Sequence, residues 1–133
     1  EVRQTLERRL KAVVALQAER YGVVAHIDWR PGYAVLVNTP AETAFARQVA
    51  VDLVGPDQVT LQRPAVSGSE AFAFVLERVP GSYLFVGNGD GDSPGACMVH
   101  NPGYDFNDEN LALGSAYWVS LAEKFLSPEA TGR

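Results

Sequence analysis

Val37-Asn38-Thr39-Pro40-Ala41-Glu42 places a capping hydroxyl, a proline at the first helical position and a glutamate at the third in one register. A helix is therefore predicted to begin at Pro40. Phe45, Val49 and Leu53 make its apolar face, and Gly55-Pro56 ends it near Val54. Before this junction the chain reads as a helix and a pair of strands; after it, as helix, strand, helix, strand, loop and helix. The change of style divides the chain into residues 1–38 and 39–133, a small α+β piece followed by a βα-type piece of a larger sheet, so the fold class is α/β.

Upstream, Leu6, Leu10, Val13, Val14 and Ala18 recur at helical spacing, with Glu7 and Lys11 paired on the outside and Gly22 as the stop. Val23, Ala25, Ile27 and Trp29 then alternate with polar neighbours as in a strand buried on one face, and Tyr33 to Asn38 reads as a second extended run. Downstream, Val59 to Leu61 reads as a short strand. Ser67-Gly-Ser-Glu70 repeats the capping-box pattern before a short helix carrying Phe72, Leu76 and Val79. Tyr83 to Val86 is apolar throughout, as in buried parallel strands, and empties into the loop Gly87-Asn-Gly-Asp-Gly-Asp92. Asn107 opens a last helix whose predicted inward face is Leu111, Trp118, Leu121 and Phe125.

The 133 residues are enough for one domain, and 47% apolar with 20% charged residues is ordinary globular usage. No window approaches the roughly 18 consecutive apolar residues of a membrane helix, and the first residues are charged where a signal peptide is apolar. A single cysteine, Cys97, forms no internal disulfide, which makes the cytoplasm the simplest location. The net charge of −5 lies wholly in residues 61–133, with no Lys or Arg between Arg78 and Lys124, and argues against a nucleic-acid partner. Asp90, Asp92, Asp105, Asp108 and Glu109 are either a cation-seeking surface or a solvated acidic loop.

His100 is the first candidate for chemistry, because it follows a short apolar stretch and precedes a turn, which puts an imidazole at the carboxyl edge of the expected sheet. It can serve as metal ligand, proton carrier or hydrogen-bonded structure. Cys97 precedes it by three positions, and a Cys-x-x-His pair supplies two of the four ligands that structural zinc takes. The run from Asn88 to Asp92 imitates a calcium loop but has Ser93 where glycine belongs and Val99 where the closing glutamate belongs. It also lacks the third glycine of a dinucleotide loop, where Asp92 stands. Ser69 lacks the second glycine of a nucleophile elbow and reads as part of a helix start; His26 lies on the polar face of a strand.

Four stretches together resemble one family. Gly68-Ser-Glu-Ala-Phe-Ala-Phe74, Val79-Pro-Gly-Ser-Tyr-Leu-Phe-Val-Gly-Asn-Gly89 and His100-Asn-Pro-Gly-Tyr-Asp-Phe-Asn-Asp108 look like the closing motifs of the metal-dependent amidohydrolases and peptidases that include hippurate hydrolase, aminoacylase and auxin-conjugate (IAA-amino acid) hydrolases. Tyr33-Ala-Val-Leu-Val-Asn-Thr-Pro-Ala-Glu-Thr-Ala44 is similar to the hinge where that family's chain leaves its lid domain.

The resemblance implies that residues 1–38 end a lid and dimerisation domain and that 39–133 close an α/β zinc-peptidase-like catalytic domain. It also implies a hydrolase of the amide bond in N-acyl amino acids or small peptides, using two divalent ions, zinc or manganese. His100 matches the family's last metal ligand. No catalytic residue carries over, since the other ligands and the catalytic glutamate belong to the family's amino-terminal part. The chain is accordingly expected to be a carboxyl-terminal portion, as Glu1 in place of an initiating methionine also favours. By itself it is expected to be inactive and to hold no tightly bound metal. Ala71 stands where the family usually has aspartate. An alternative from another class is a non-catalytic module that self-associates; neither nucleic acid nor membrane is an expected partner.

Overall fold

The computed structural model describes residues 1–60 and 64–127. These form four α-helices, α1 (Val2–Tyr21), α2 (Pro40–Val54), α3 (Phe72–Leu76) and α4 (Asn110–Leu126), with short 3₁₀ turns at Pro56–Gln58 and Pro94–Ala96. The chain divides into two compact units, Glu1–Gly32 and Tyr33–Arg133.

The first unit is α1 and the segment after it. Gly22 adopts the left-handed conformation at φ 62°, and the amides of Gly22 and Val23 return to the carbonyls of Glu19 and Ala18, which closes the helix as its sequence predicts. Lys11 pairs with Glu7 on the surface. No residue of α1 is buried, and Leu6, Leu10, Val13 and Leu16 are all exposed.

In the second unit α2 packs on α4. Val49 is 1% exposed and Ala46 is buried beside it, while Tyr117 reaches across from α4 and donates its hydroxyl to the Ala46 carbonyl at 3.2 Å. Phe45 meets Phe125 edge-on at 6.1 Å, and Lys124 pairs with Asp52 on the rim. Burying one valine of this kind stabilises by roughly 1.5–3 kcal/mol. The expected inward face of α4 is corrected by this packing: Leu111, Trp118 and Phe125 are exposed, and the buried residue is Tyr117.

Among the described residues there is no β-strand, so the α/β expectation is not realised as a sheet. Residues 23–29, 33–38 and 83–86 carry the right alternation or apolarity, but no backbone ladder joins them. A strand exists only through its neighbour, and residue pattern does not supply one. Leu84, Phe85 and Val86 are consequently exposed rather than buried. The strand predicted at 59–61 falls partly on Leu61, outside the described residues.

Side chains take over part of the missing pairing. Asn38 accepts the Tyr83 amide through Oδ1 and donates Nδ2 to the Tyr83 carbonyl, both at 2.8 Å, as a neighbouring strand does with its backbone. The Thr39 hydroxyl does not cap α2, although Thr39 is its N-cap residue. It accepts the Gly81 amide and donates to the Gly81 carbonyl, both at 2.9 Å. The second capping box is also corrected. α3 starts at Phe72, where Glu70 Oε1 accepts the Phe72 amide at 3.0 Å and Oε2 accepts the Tyr83 hydroxyl at 3.1 Å. The Phe72 amide, then the Tyr83 hydroxyl, hold the Glu70 carboxyl below its ordinary range.

Candidate functional site

The loop from Gly87 to Asn107 carries His100, and its shape is set by one carboxamide. Asn88 Nδ2 donates to the Gly95 carbonyl at 3.0 Å and to the Asp105 carbonyl at 2.8 Å, while Oδ1 accepts the Asn107 amide at 2.9 Å. Asn110, at the start of α4, donates to the Gly87 carbonyl at 2.9 Å and so fixes the residue before the clamp. Gly95 is buried against the Asn88 backbone: a Cβ there would lie 1.8 Å from the Asn88 carbonyl oxygen. Gly89, at φ 140°, would bring a Cβ to 2.4 Å from Ser93 Oγ.

Between the two ends of this closed loop, His100 sits in a turn. The Asn101 amide bonds the Met98 carbonyl at 3.2 Å, and His100 takes φ 69°, left-handed backbone at the third turn position, where a type II turn favours glycine. It is the one described non-glycine residue with positive φ. An L-residue costs roughly 1–2 kcal/mol in this conformation. Asn101 Oδ1 accepts the Gly103 amide at 2.8 Å and the Asn101 carbonyl accepts the Tyr104 amide at 2.9 Å, which fixes the chain after the turn. The imidazole is exposed.

The sequence candidates do not converge. Cys97 is half-buried at the end of the 3₁₀ turn, and Asp90, Asp92, Asp105, Asp108 and Glu109 are exposed. Among the described residues no group of three or more His, Cys, Asp and Glu side chains is placed to hold a metal ion. One exposed imidazole fits as a single ligand, and a site for two divalent ions is not made by these residues. Ser69 and His26 are exposed. With no sheet among the described residues, His100 is placed by the closure of its loop.

The bonds of Asn38 and Asn88 and the Glu70–Tyr83 pair join positions far apart in the chain, which the motifs holding these residues do not show. Asn88 stands between Gly87 and Gly89 just after the apolar run 83–86, a pattern that reads equally as flexible loop. Asn88 also lines an open groove of ≈ 390 Å³, together with Val86, Tyr104, Phe106, Leu111 and Trp118. None of the described helices is long and apolar enough to cross a membrane.

Comparison with known proteins gives one family and consistent relatives. Residues 6–124 match the model of peptidase family M20/M25/M40. The chain is 26% identical over 126 residues to an IAA-amino acid hydrolase of Arabidopsis thaliana, covering 92% of this chain and 27% of that protein. It is 29% identical to the N-acetyl-L-cysteine deacetylase of Bacillus subtilis, covering 95% and 28%. It is 28% identical to the hippurate hydrolase of Campylobacter jejuni, covering 95% and 32%. The chain thus spans less than a third of the length of each of these relatives. No solved structure matches it significantly.

Proposed function

The chain belongs to the peptidase family M20/M25/M40, and on that premise we propose that it is the carboxyl-terminal part of a metal-dependent amidohydrolase acting on the amide bond of N-acyl amino acids or related conjugates. Residues 1–38 end the lid domain and 39–133 close the catalytic domain. The observation that carries the reading is the family match across residues 6–124, within which His100 lies on a loop held by side-chain hydrogen bonds. His100 is this chain's ligand to a metal set of zinc or manganese whose remaining ligands it does not contain, and the chain alone is inactive. The substrate proposed is small, and the single cysteine, Cys97, supports a cytoplasmic location.

What the chain's own residues do is bounded by their geometry. The exposed imidazole can present one ring nitrogen to a cation. The purified chain, given zinc or manganese and hippurate or an N-acetyl amino acid, is expected to show no turnover; robust metal-dependent turnover overturns the incompleteness of the site. Zinc titration followed by isothermal calorimetry should give weak binding that His100→Ala abolishes. Binding unchanged in that variant removes His100 from the ligand set.

A second reading, a non-catalytic self-associating module, is favoured by α1, whose Leu6, Leu10, Val13 and Leu16 face solvent. Self-association is expected of the fragment as well, and light scattering tests it: a strict monomer at high micromolar concentration excludes the module.

A further inference from the structure

We propose that Asn88 is the positioning residue of the His100 loop, an inference that rests on the reading of His100 as a ligand for its functional meaning. Three observations on different atoms converge on this residue. Its Nδ2 group donates to two carbonyls, of Gly95 and Asp105, that lie 7 and 17 residues along the chain. Its Oδ1 accepts the Asn107 amide, 19 residues along. Gly95 is packed so close to the Asn88 backbone that no side chain fits between them.

The chemistry of the group explains why asparagine stands there. Closing the loop requires two donated bonds and one accepted bond within one short side chain, and a carboxamide has both N–H donors and an oxygen acceptor. Aspartate of the same size has only acceptors when ionised and faces the Gly95 and Asp105 carbonyl oxygens with a repelling charge. Serine is too short to span both ends. The clamp grips residues 95 and 105–107, and the left-handed turn at His100 lies between these grips. Backbone conformations of this cost persist where the surrounding structure over-determines them. Along this segment Met98, Val99 and His100 are exposed, so the carboxamide, together with the local Asn101 turn bonds, supplies the constraint that burial does not.

The test compares Asn88→Ala and Asn88→Asp with Asn38→Ala in the isotope-labelled full chain. Asn38→Ala breaks a similar carboxamide clamp, at Tyr83, outside the loop. In Asn88→Ala the amide protection of Asn107 should fall about tenfold, and the His100 amide and ring signals should move toward unstructured values with loss of the positive-φ coupling signature. Asn88→Asp keeps the acceptor, so Asn107 should stay protected while Ala96 and His100 shift. Asn38→Ala should leave the His100 signals in place. His100 signals that are unchanged in both Asn88 variants, or that change equally in Asn38→Ala, overturn the proposal. Should the variants unfold, the unaltered chain decides: slowly exchanging, resolved Asn88 side-chain protons are expected, and rapidly averaged ones overturn it. Zinc added to the unaltered chain tests the ligand reading separately. No perturbation of the His100 ring defeats that reading and not the clamp.

Discussion

Asn38 and Asn88 do the same kind of work in very different surroundings. Asn38 pairs with both backbone groups of one residue, Tyr83, 45 positions away, next to the Thr39–Gly81 bonds. It belongs to the part of the unit that holds buried Val49 and Ala73, with Tyr33 against Phe74 and Phe72 against Tyr83 as ring contacts. Asn88 instead gathers three separate backbone groups across a loop in which Gly95 is the one buried position among the described residues from 87 to 107. The first clamp adds register to a region that burial already holds. The second replaces burial, so its loop belongs to the low-stability end of the molecule and responds locally when a bond is removed.

The sharpest way to break that contrast is Gly95→Ala. A methyl group 1.8 Å from the Asn88 carbonyl oxygen cannot be absorbed by side-chain movement, because the obstacle is backbone. The loop is expected to lose about 3 kcal/mol of local stability, the upper end of overpacking costs. Hydrogen exchange should register this across residues 87–107 and leave α2 protected. A uniform loss across the whole unit would mean that the loop is not a separate element.

Asn38→Ala should cost about 2 kcal/mol, since it leaves two partly buried backbone groups of Tyr83 without their partners. Here the effect should appear as a lower midpoint of global melting by circular dichroism, the opposite signature from Gly95→Ala. Tyr117→Phe tests the packed side more gently. It removes one hydroxyl bond to the Ala46 carbonyl and should lower stability by about 1 kcal/mol with no change at His100. Within the loop, His100→Gly should be more stable than His100→Ala by about 1 kcal/mol by hydrogen exchange of the loop amides, because glycine enters the φ 69° backbone without the Cβ penalty. Equal stabilities would show that the turn relaxes out of that conformation.

Helices were legible in the sequence because their determinants are local. α1 closes at Gly22 and α2 runs from Pro40 to Val54 as the periodicity and glycine stops require. Strands were not, since 33–38 and 83–86 have the composition of strands but their identity depends on a neighbour that no pattern encodes. The capping boxes were misread for a related reason: Thr39 and Glu70 have the right chemistry for local caps, yet Thr39 spends its hydroxyl on Gly81 and Glu70 divides its oxygens between Phe72 and Tyr83. At the candidate site, His100 could be singled out as a residue, whereas the clamp holding its loop joins positions 88, 95, 105 and 107 and is visible only once the chain is folded.

The smallest expected effect separates the two clamps by pH. Glu70 ties the start of α3 to the Tyr83 ring, and its carboxyl is held below the ordinary range first by the Phe72 amide and then by the Tyr83 hydroxyl. A carboxylate with a depressed folded value binds its proton more readily when unfolded. Its stabilising contribution is therefore complete above the ordinary glutamate range and is lost as pH falls through the lowered value. Acidification should loosen the Asn38–Tyr83 side of the unit. The Asn88 bonds involve a carboxamide, two backbone carbonyls and a backbone amide, none of which titrates, so acid leaves them formed. Following the Phe72 and Asn107 amides by NMR from neutral pH into acid should show Phe72 losing protection first, with Glu70→Gln removing the pH dependence at Phe72 alone. Loss of Asn107 protection at the same pH would join the two clamps into one cooperative element and end the distinction between them.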